Sequence, residues 1–186
     1  FEARTPRGKV ALVEKEGRVA AIEDRGISRA VIVQTKGKKG SVEYLVPAQA
    51  ELLVNEGDDV GAGQQLVEGP VDPQELFRAK GPGAVQQYII KEIQRIYLSE
   101  GASISNKHIE LIIRQMFSRV RIQDAGDSRF VAGDVVEKSH FIEENRKIRR
   151  EGGTPAKARQ LLLGIIKAAL TTESFLSAAS FQQTAR

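Results

Sequence analysis

The 186-residue sequence contains no cysteine, so disulfides, zinc fingers and a thiolate nucleophile are all excluded. Its two histidines, His108 and His140, are too few for a histidine-rich metal site. No stretch approaches the ~18 consecutive apolar residues that a membrane-spanning helix needs. The standard enzyme signatures are missing as well: there is no GxxxxGKS/T loop, no GxGxxG following a strand, no HExxH and no GxSxG. Methionine occurs once, at Met116, and the chain opens with Phe1, which together read as a piece of a longer chain. The lack of a signal peptide therefore carries no information.

What is present is enough for a packed core. Hydrophobic residues make up 41% and charged residues 28%, a balance that argues for one large domain or two small ones rather than disorder. The net charge is +4, compatible with a polyanionic partner without requiring one. Its distribution is segmental. Residues 1–50 carry ten Lys and Arg against six Asp and Glu, residues 51–80 two against seven, residues 81–150 twelve against nine, and residues 151–186 four against two. Ordinary surface solubilisation accounts for so small a surplus as readily as a partner does.

The first third reads as β. Segments 9–15, 17–24, 29–35 and 42–46 are short, rich in Val, Ile and Tyr, and punctuated by Gly8, Gly17, Gly26 and the Gly37/Gly40 pair at turns. The run after 29–35 predicts a hairpin whose tip carries Lys36, Lys38 and Lys39, either as an edge-protecting device or as a phosphate-touching finger. Two short apolar strands are expected in 51–69, around turns at Gly57-Asp58-Asp59 and Gly61-Ala62-Gly63. That spacing is similar to half of a barrel-sandwich hybrid such as a lipoyl or biotinyl domain, but the modifiable lysine of a carrier domain is absent, which leaves a structural β module.

Beyond Pro70-Val71-Asp72-Pro73 the pattern turns helical. Val85, Ile89, Ile93, Ile96 and Tyr97 recur at helical spacing up to a stop at Gly101, and a second helix begins near Ser105 as N-cap with Ile109, Ile112, Ile113, Met116 and Phe117 as its stripe. Two helices across a short turn raise a helix-turn-helix reading with Lys107, Arg114, Arg119 and Arg121 as contacts. The start of the second helix offers few side chains that read base edges, so a packed helix pair is preferred. Strands are expected at 118–123 and 130–136, then a charged helix from Glu143 to Arg150. The tail from Leu161 is rich in Leu, Ala and Ser, and a helix is expected from about Thr172 with Thr171 or Thr172 as cap. So charge-poor a tail implies burial against further chain or a partner.

Few candidate groups stand out chemically. His108 lies two residues from Glu110, which on a helix points them apart, and both histidines read as structural or helix-terminal groups. The cluster Glu56, Asp58, Asp59 lacks calcium-loop spacing and reads as a solvated turn. Lys167, set inside an apolar run, must either snorkel or meet an anion. Gln182 and Arg186, four apart on one helix face, extend it into a possible phosphate-contacting surface; solvent-exposed polar residues are the equal alternative.

The string from Leu161 to Arg186, LLLGIIKAALTTESFLSAASFQQTAR, resembles a segment near the C-terminus of the largest (β′) subunit of bacterial RNA polymerase. FEARTPRG at the start, EGPVDPQELFRAKG (68–81) and SNKHIELIIRQM (105–116) agree in the same order, so the resemblance covers nearly the whole chain. It departs from the usual pattern at Ile166, Ala169, Thr171, Gln183 and Ala185, where the family more often has Thr, Ser, Ala, Glu and Thr. The resemblance implies an α+β fragment: a β-rich, barrel-sandwich-like jaw module (1–70), a mixed region with two amphipathic helices (71–160) and a helical, switch-like tail (161–186). It implies that Lys167, Gln182 and Arg186 face DNA and that catalytic residues lie elsewhere; Lys36, Lys38 and Lys39 at the expected hairpin tip are further candidates for DNA contact. It implies magnesium and zinc for the intact subunit and no cofactor in this stretch. The implied partners are downstream duplex DNA, the β, α and ω subunits, a sigma factor and a jaw-binding regulator, in the bacterial cytoplasm and nucleoid. A protein-interaction module and a free-standing helix-turn-helix regulator are the alternative readings.

Overall fold

In the computed structural model, which describes residues 2–35, 40–171, 179, 180 and 183, the apolar alternation of the first third becomes an antiparallel sheet. β1 (Gly17–Asp24), β2 (Ser28–Thr35), β3 (Ser41–Pro47) and the two-residue β4 (Asp59–Val60) stand in the order β3-β2-β1-β4. Side chains alternate across a strand; Val19, Val31, Val33, Tyr44, Val46 and Val60 are buried, and so is the small Ala30. Thr35 N–H donates to the Gly40 carbonyl at 3.2 Å and closes the β2–β3 connection. The register of β1 on β2 steps between Val19 and Ala21, leaving Ala20 as an unpaired bulge.

Chain contacts cluster into two compact units, Arg4–Gln87 and Tyr88–Arg186 with Phe1–Ala3. In the first, the three strands expected in 9–15 and 51–69 are not regular strands. Residues 9–15 make only an isolated bridge, Leu12 to Gln65, and residues 51–69 contribute that bridge, another from Leu52 to Val67, and β4. The reason lies in the hydrogen bonds of 9–15: Val10 N–H donates to Pro70 and Val13 N–H to Gln64, an odd spacing that a straight strand cannot present to one neighbour. Val10, Leu12 and Val13 are buried all the same. A helix the sequence reading passed over, α1 (Pro73–Lys80), follows. Buried Asp72 caps it, accepting from Gln74 N–H at 2.8 Å and from the Thr5 hydroxyl at 2.9 Å, and Pro73 fills a first-turn position whose N–H would be idle.

α2 (Pro82–Ser99) forms as its apolar spacing predicts, with Val85 buried and Ile96, Tyr97 and Leu98 exposed at its end. No helix among the described residues is long and apolar enough to cross a membrane. α3 (Asn106–Met116) buries Ile109, Ile113 and Met116; Ser105 holds the N-cap position, but its side chain makes no capping bond. A second sheet, ordered β6-β5-β7, joins β5 (Arg119–Asp124), β6 (Val135–Glu137) and β7 (Lys157–Gln160). The expected strand at 130–136 is reduced to its last residues, because 131–134 turn back on β5: Ile122 N–H donates to Asp134 and Gly133 N–H to Ile122. α4 (Lys138–Arg150) begins five residues before the expected Glu143. In its first turn His140 meets the Phe130 ring edge-on, centroids 5.5 Å apart. α5 (Ile165–Leu170) packs against α3. Thr171 therefore ends a helix instead of capping the start of one, and most of the helix expected from Thr172 lies outside the described residues.

Two residues hold the sheets in register. Gly17, expected at a turn, opens β1, where a Cβ would stand 2.4 Å from the Gln34 carbonyl oxygen. Asn145 is buried on α4 and mimics a neighbouring strand for Ala156: its Nδ2 donates to the Ala156 carbonyl at 2.9 Å, and its Oδ1 accepts the Ala156 N–H at 2.8 Å. Gly17→Ala is expected to destabilise Arg4–Gln87 by about 1–3 kcal/mol, the usual cost of overpacking, read from urea denaturation. Asn145→Ala strands two buried backbone groups and should cost roughly 2–4 kcal/mol, with amide exchange accelerating in β5 and β7 more than in β1–β3.

Candidate nucleic-acid interface

Of the six residues expected to face nucleic acid, Lys36, Lys38, Lys39, Gln182 and Arg186 lie outside the described residues, and Lys167 alone is placed. It sits in the last turn of α5, where a cation complements the negative end of the helix. Thr171 finishes that turn, its hydroxyl donating to the Lys167 carbonyl at 2.8 Å and its N–H to the same oxygen at 3.0 Å. Ala168 is fully buried, while Lys167, Ile166 and Leu170 are exposed. The ammonium thus reaches solvent, and the apolar Ile166 and Leu170 beside it are exposed as well.

The helix-turn-helix contact set is split by the fold. Lys107 and Arg114 are exposed on α3, but Arg119 and Arg121 belong to β5 and cannot extend a recognition helix. Arg119 is 98% buried, from a relative exposure of 2%. Its Nη1 lies 3.5 Å from Glu137 Oε2 on β6, and its Nη2 donates to the Ala168 carbonyl at 3.5 Å. Among the described residues, Nε and Nη1 make no hydrogen bond. Along the edge of β5 that pairs with β7, Arg121 stands in register with Arg159, and both are exposed. Sequence reading missed β7 and with it Arg159; the one signal was the period-two placement of Lys157 and Arg159 around Ala158.

The unit Arg4–Gln87 holds a cavity of about 510 Å³ between residues 9–14, Tyr44 and α1. Its polar rim is Lys9, Glu14, Glu75 and Arg78, with the Tyr44 hydroxyl accepting the Glu14 N–H at 2.9 Å. Lys9 donates to Glu75 in an exposed ion pair. That hydrogen bond raises the Lys9 ammonium above its ordinary range, against an opposing effect of desolvation and with the attraction of Glu75 and Asp72 adding to it.

A metal finds no home among these residues. Glu56 accepts the Ile22 N–H and Asp58 the Asn55 N–H, so both carboxylates serve the turn. Among the described residues, no three His, Cys, Asp or Glu come together in a way that could hold an ion. His108 is exposed in the first turn of α3, a helix-terminal residue as expected.

The sequence that builds these elements has known relatives. The family described as RNA polymerase Rpb1, domain 5, matches residues 7–173, and the chain belongs to that family. Among individual relatives, the chain is 50% identical over 186 residues to the DNA-directed RNA polymerase subunit beta′ of Thermobifida fusca. It is likewise 50% identical to that of Acidothermus cellulolyticus and 46% identical over 187 residues to that of Desulforudis audaxviator. All of this chain is matched in each case, but only 14–16% of the relative. The resemblance read from the sequence is thereby borne out over the full chain, and so is the α+β class.

The Lys9–Glu75 pair yields a pH-dependent outcome. Because the folded ammonium is raised, the pair's stabilising contribution is fully present below lysine's ordinary value of about 10.4 and is lost as pH rises through the folded value. Side-chain nitrogen NMR should place the Lys9 titration above that of exposed lysines, and Glu75→Gln should return it to them. An unchanged titration in the variant would count against the pairing.

Proposed function

We propose that this chain is a non-catalytic part of the β′ subunit of a multisubunit DNA-directed RNA polymerase, holding downstream duplex DNA by sequence-independent phosphate contacts. The observation that carries the reading is the 50% identity to beta′ subunits along all 186 residues. In this reading residues 1–70 are the jaw module, 71–160 the mixed region and 161–186 the switch-like tail. Lys167, Gln182 and Arg186, with Lys36, Lys38 and Lys39 at the hairpin, meet phosphates. Nucleotidyl transfer belongs to the assembled enzyme, whose magnesium and zinc are held by other parts of the subunit. The β, α and ω subunits, a sigma factor and a jaw-binding regulator are its protein partners, and the bacterial cytoplasm and nucleoid its location.

The solvent-facing ammonium of Lys167 supports the DNA-facing assignment, since a phosphate can reach it without rearrangement of α5. Each cation that meets a phosphate adds about 0.9 to the slope of log affinity against log salt. Lys167→Gln in the assembled polymerase should therefore lower that slope for downstream DNA by about 0.9 while leaving sequence preference unchanged. An unaltered slope removes Lys167 from the interface. Binding that ignores salt altogether favours the protein-interaction reading instead.

A further inference from the structure

Strand register and burial bring together a group of cations that the DNA-holding reading does not use. Arg119 and Arg121 are two apart on β5 and so lie on one face of the second sheet. Arg159 stands directly opposite Arg121 on β7, and Glu137 directly opposite Arg119 on β6. Residues directly opposite in an antiparallel pair have Cβ atoms about 4.5–5.5 Å apart, a spacing at which like charges repel. Among the described residues neither the Arg121 nor the Arg159 guanidinium has an ion pair or hydrogen bond. Lys157 and Asp124, one step further along the strands, lie 4.0 Å apart and offset each other.

Beside this pair on the same face lies Arg119, whose buried Nε and Nη1 lack hydrogen bonds among the described residues and whose carboxylate neighbour, Glu137, is itself half exposed. Guanidinium stays protonated in proteins, so its charge cannot be relieved by losing a proton. Three arginines against one glutamate leave the face with an excess of two positive charges. A single carboxylate carries half of that charge. A phosphate group carries close to all of it and presents several oxygens to forked donors.

We propose that Arg121 and Arg159, backed by the buried charge of Arg119, form a binding site for a dianionic phosphate group. The two exposed guanidiniums clamp the phosphate oxygens across the β5–β7 ladder, and Arg119 strengthens the field without touching the ligand. The assignment stands apart from the downstream-DNA reading, because none of its residues belongs to the set proposed there.

Inorganic phosphate is the probe, titrated into the 186-residue chain at low ionic strength while the arginine Nε–H signals are followed by NMR. The expected result is saturable shifts at Arg121 and Arg159, with affinity falling about tenfold in each of Arg121→Gln and Arg159→Gln, as loss of a charge-assisted hydrogen bond implies. Arg146→Gln, an exposed change on α4, should leave affinity unchanged. Both test positions are exposed, so the variants keep their fold; circular dichroism and the amide spectrum verify this. Two further arms separate the sources of phosphate. Preference for inorganic phosphate over dimethyl phosphate and duplex DNA supports a free or terminal phosphate group, and stronger binding of duplex DNA that is weakened by the same two variants supports a nucleic-acid backbone. Shifts that rise linearly and equally at Arg146, or affinity untouched by either Arg121→Gln or Arg159→Gln, overturn the site.

Discussion

A guanidinium that cannot lose its proton, once buried, dictates what surrounds it. Arg119 occupies the central strand of the β6-β5-β7 sheet, and the neighbouring elements close on it. α5 turns its Ala168 carbonyl toward one end of the fork, β6 brings Glu137 toward another, and Gln160 donates to the Phe117 and Arg119 carbonyls, tying β5 to the start of the tail. Burying a charge without full pairing is costly. The arrangement persists because Val120, Ile122, Ile113 and Met116 supply an apolar core on which β5 and α3 are already fixed.

The N-terminal unit solves a different problem, that of an antiparallel sheet with edges. β3 is an edge strand, and it carries Glu43 and ends at Pro47, both poor templates for a further strand. Arg25 reaches Glu43 at 2.7 Å and Glu23 at 3.1 Å, and these carboxylates, Glu23 foremost, push its guanidinium still further above its ordinary value. Exposed pairs of this kind contribute little stability; their effect is to keep charge along the rim.

Where side-chain periodicity decided structure, the sequence was readable. β1, β2 and β3 emerged from alternation within a residue or two, and α2 and α3 from helical spacing of Ile and Val. Reading failed where tertiary hydrogen bonds decide. The segment from Lys9 to Lys15 has the composition of a strand, yet its N–H groups go to Pro70 and Gln64 at a spacing no local rule reveals. α1 was signalled by Asp72 followed by Pro73 and Glu75, a cap pattern masked by the prolines on either side of Val71-Asp72. β7 has too few apolar residues to register as a strand; it is one because Asn145 and β5 hold it. As for the candidate site, its place inside an apolar run singled out Lys167 and the family likeness turned it toward DNA, but the opposition of Arg121 and Arg159 depends on strand register, which residue spacing along the chain cannot express.

The bulge in β1 separates two properties that usually change together. Val19 faces Val33 and Ala21 faces Ile32, so every β2 residue from Arg29 to Thr35 keeps a partner although β1 contains one residue more. Ala20 is surplus to pairing and serves only to bend and twist the strand. A chain shortened by that single alanine would retain its ladder and lose its curl. Shape and connectivity in this sheet are written at different positions.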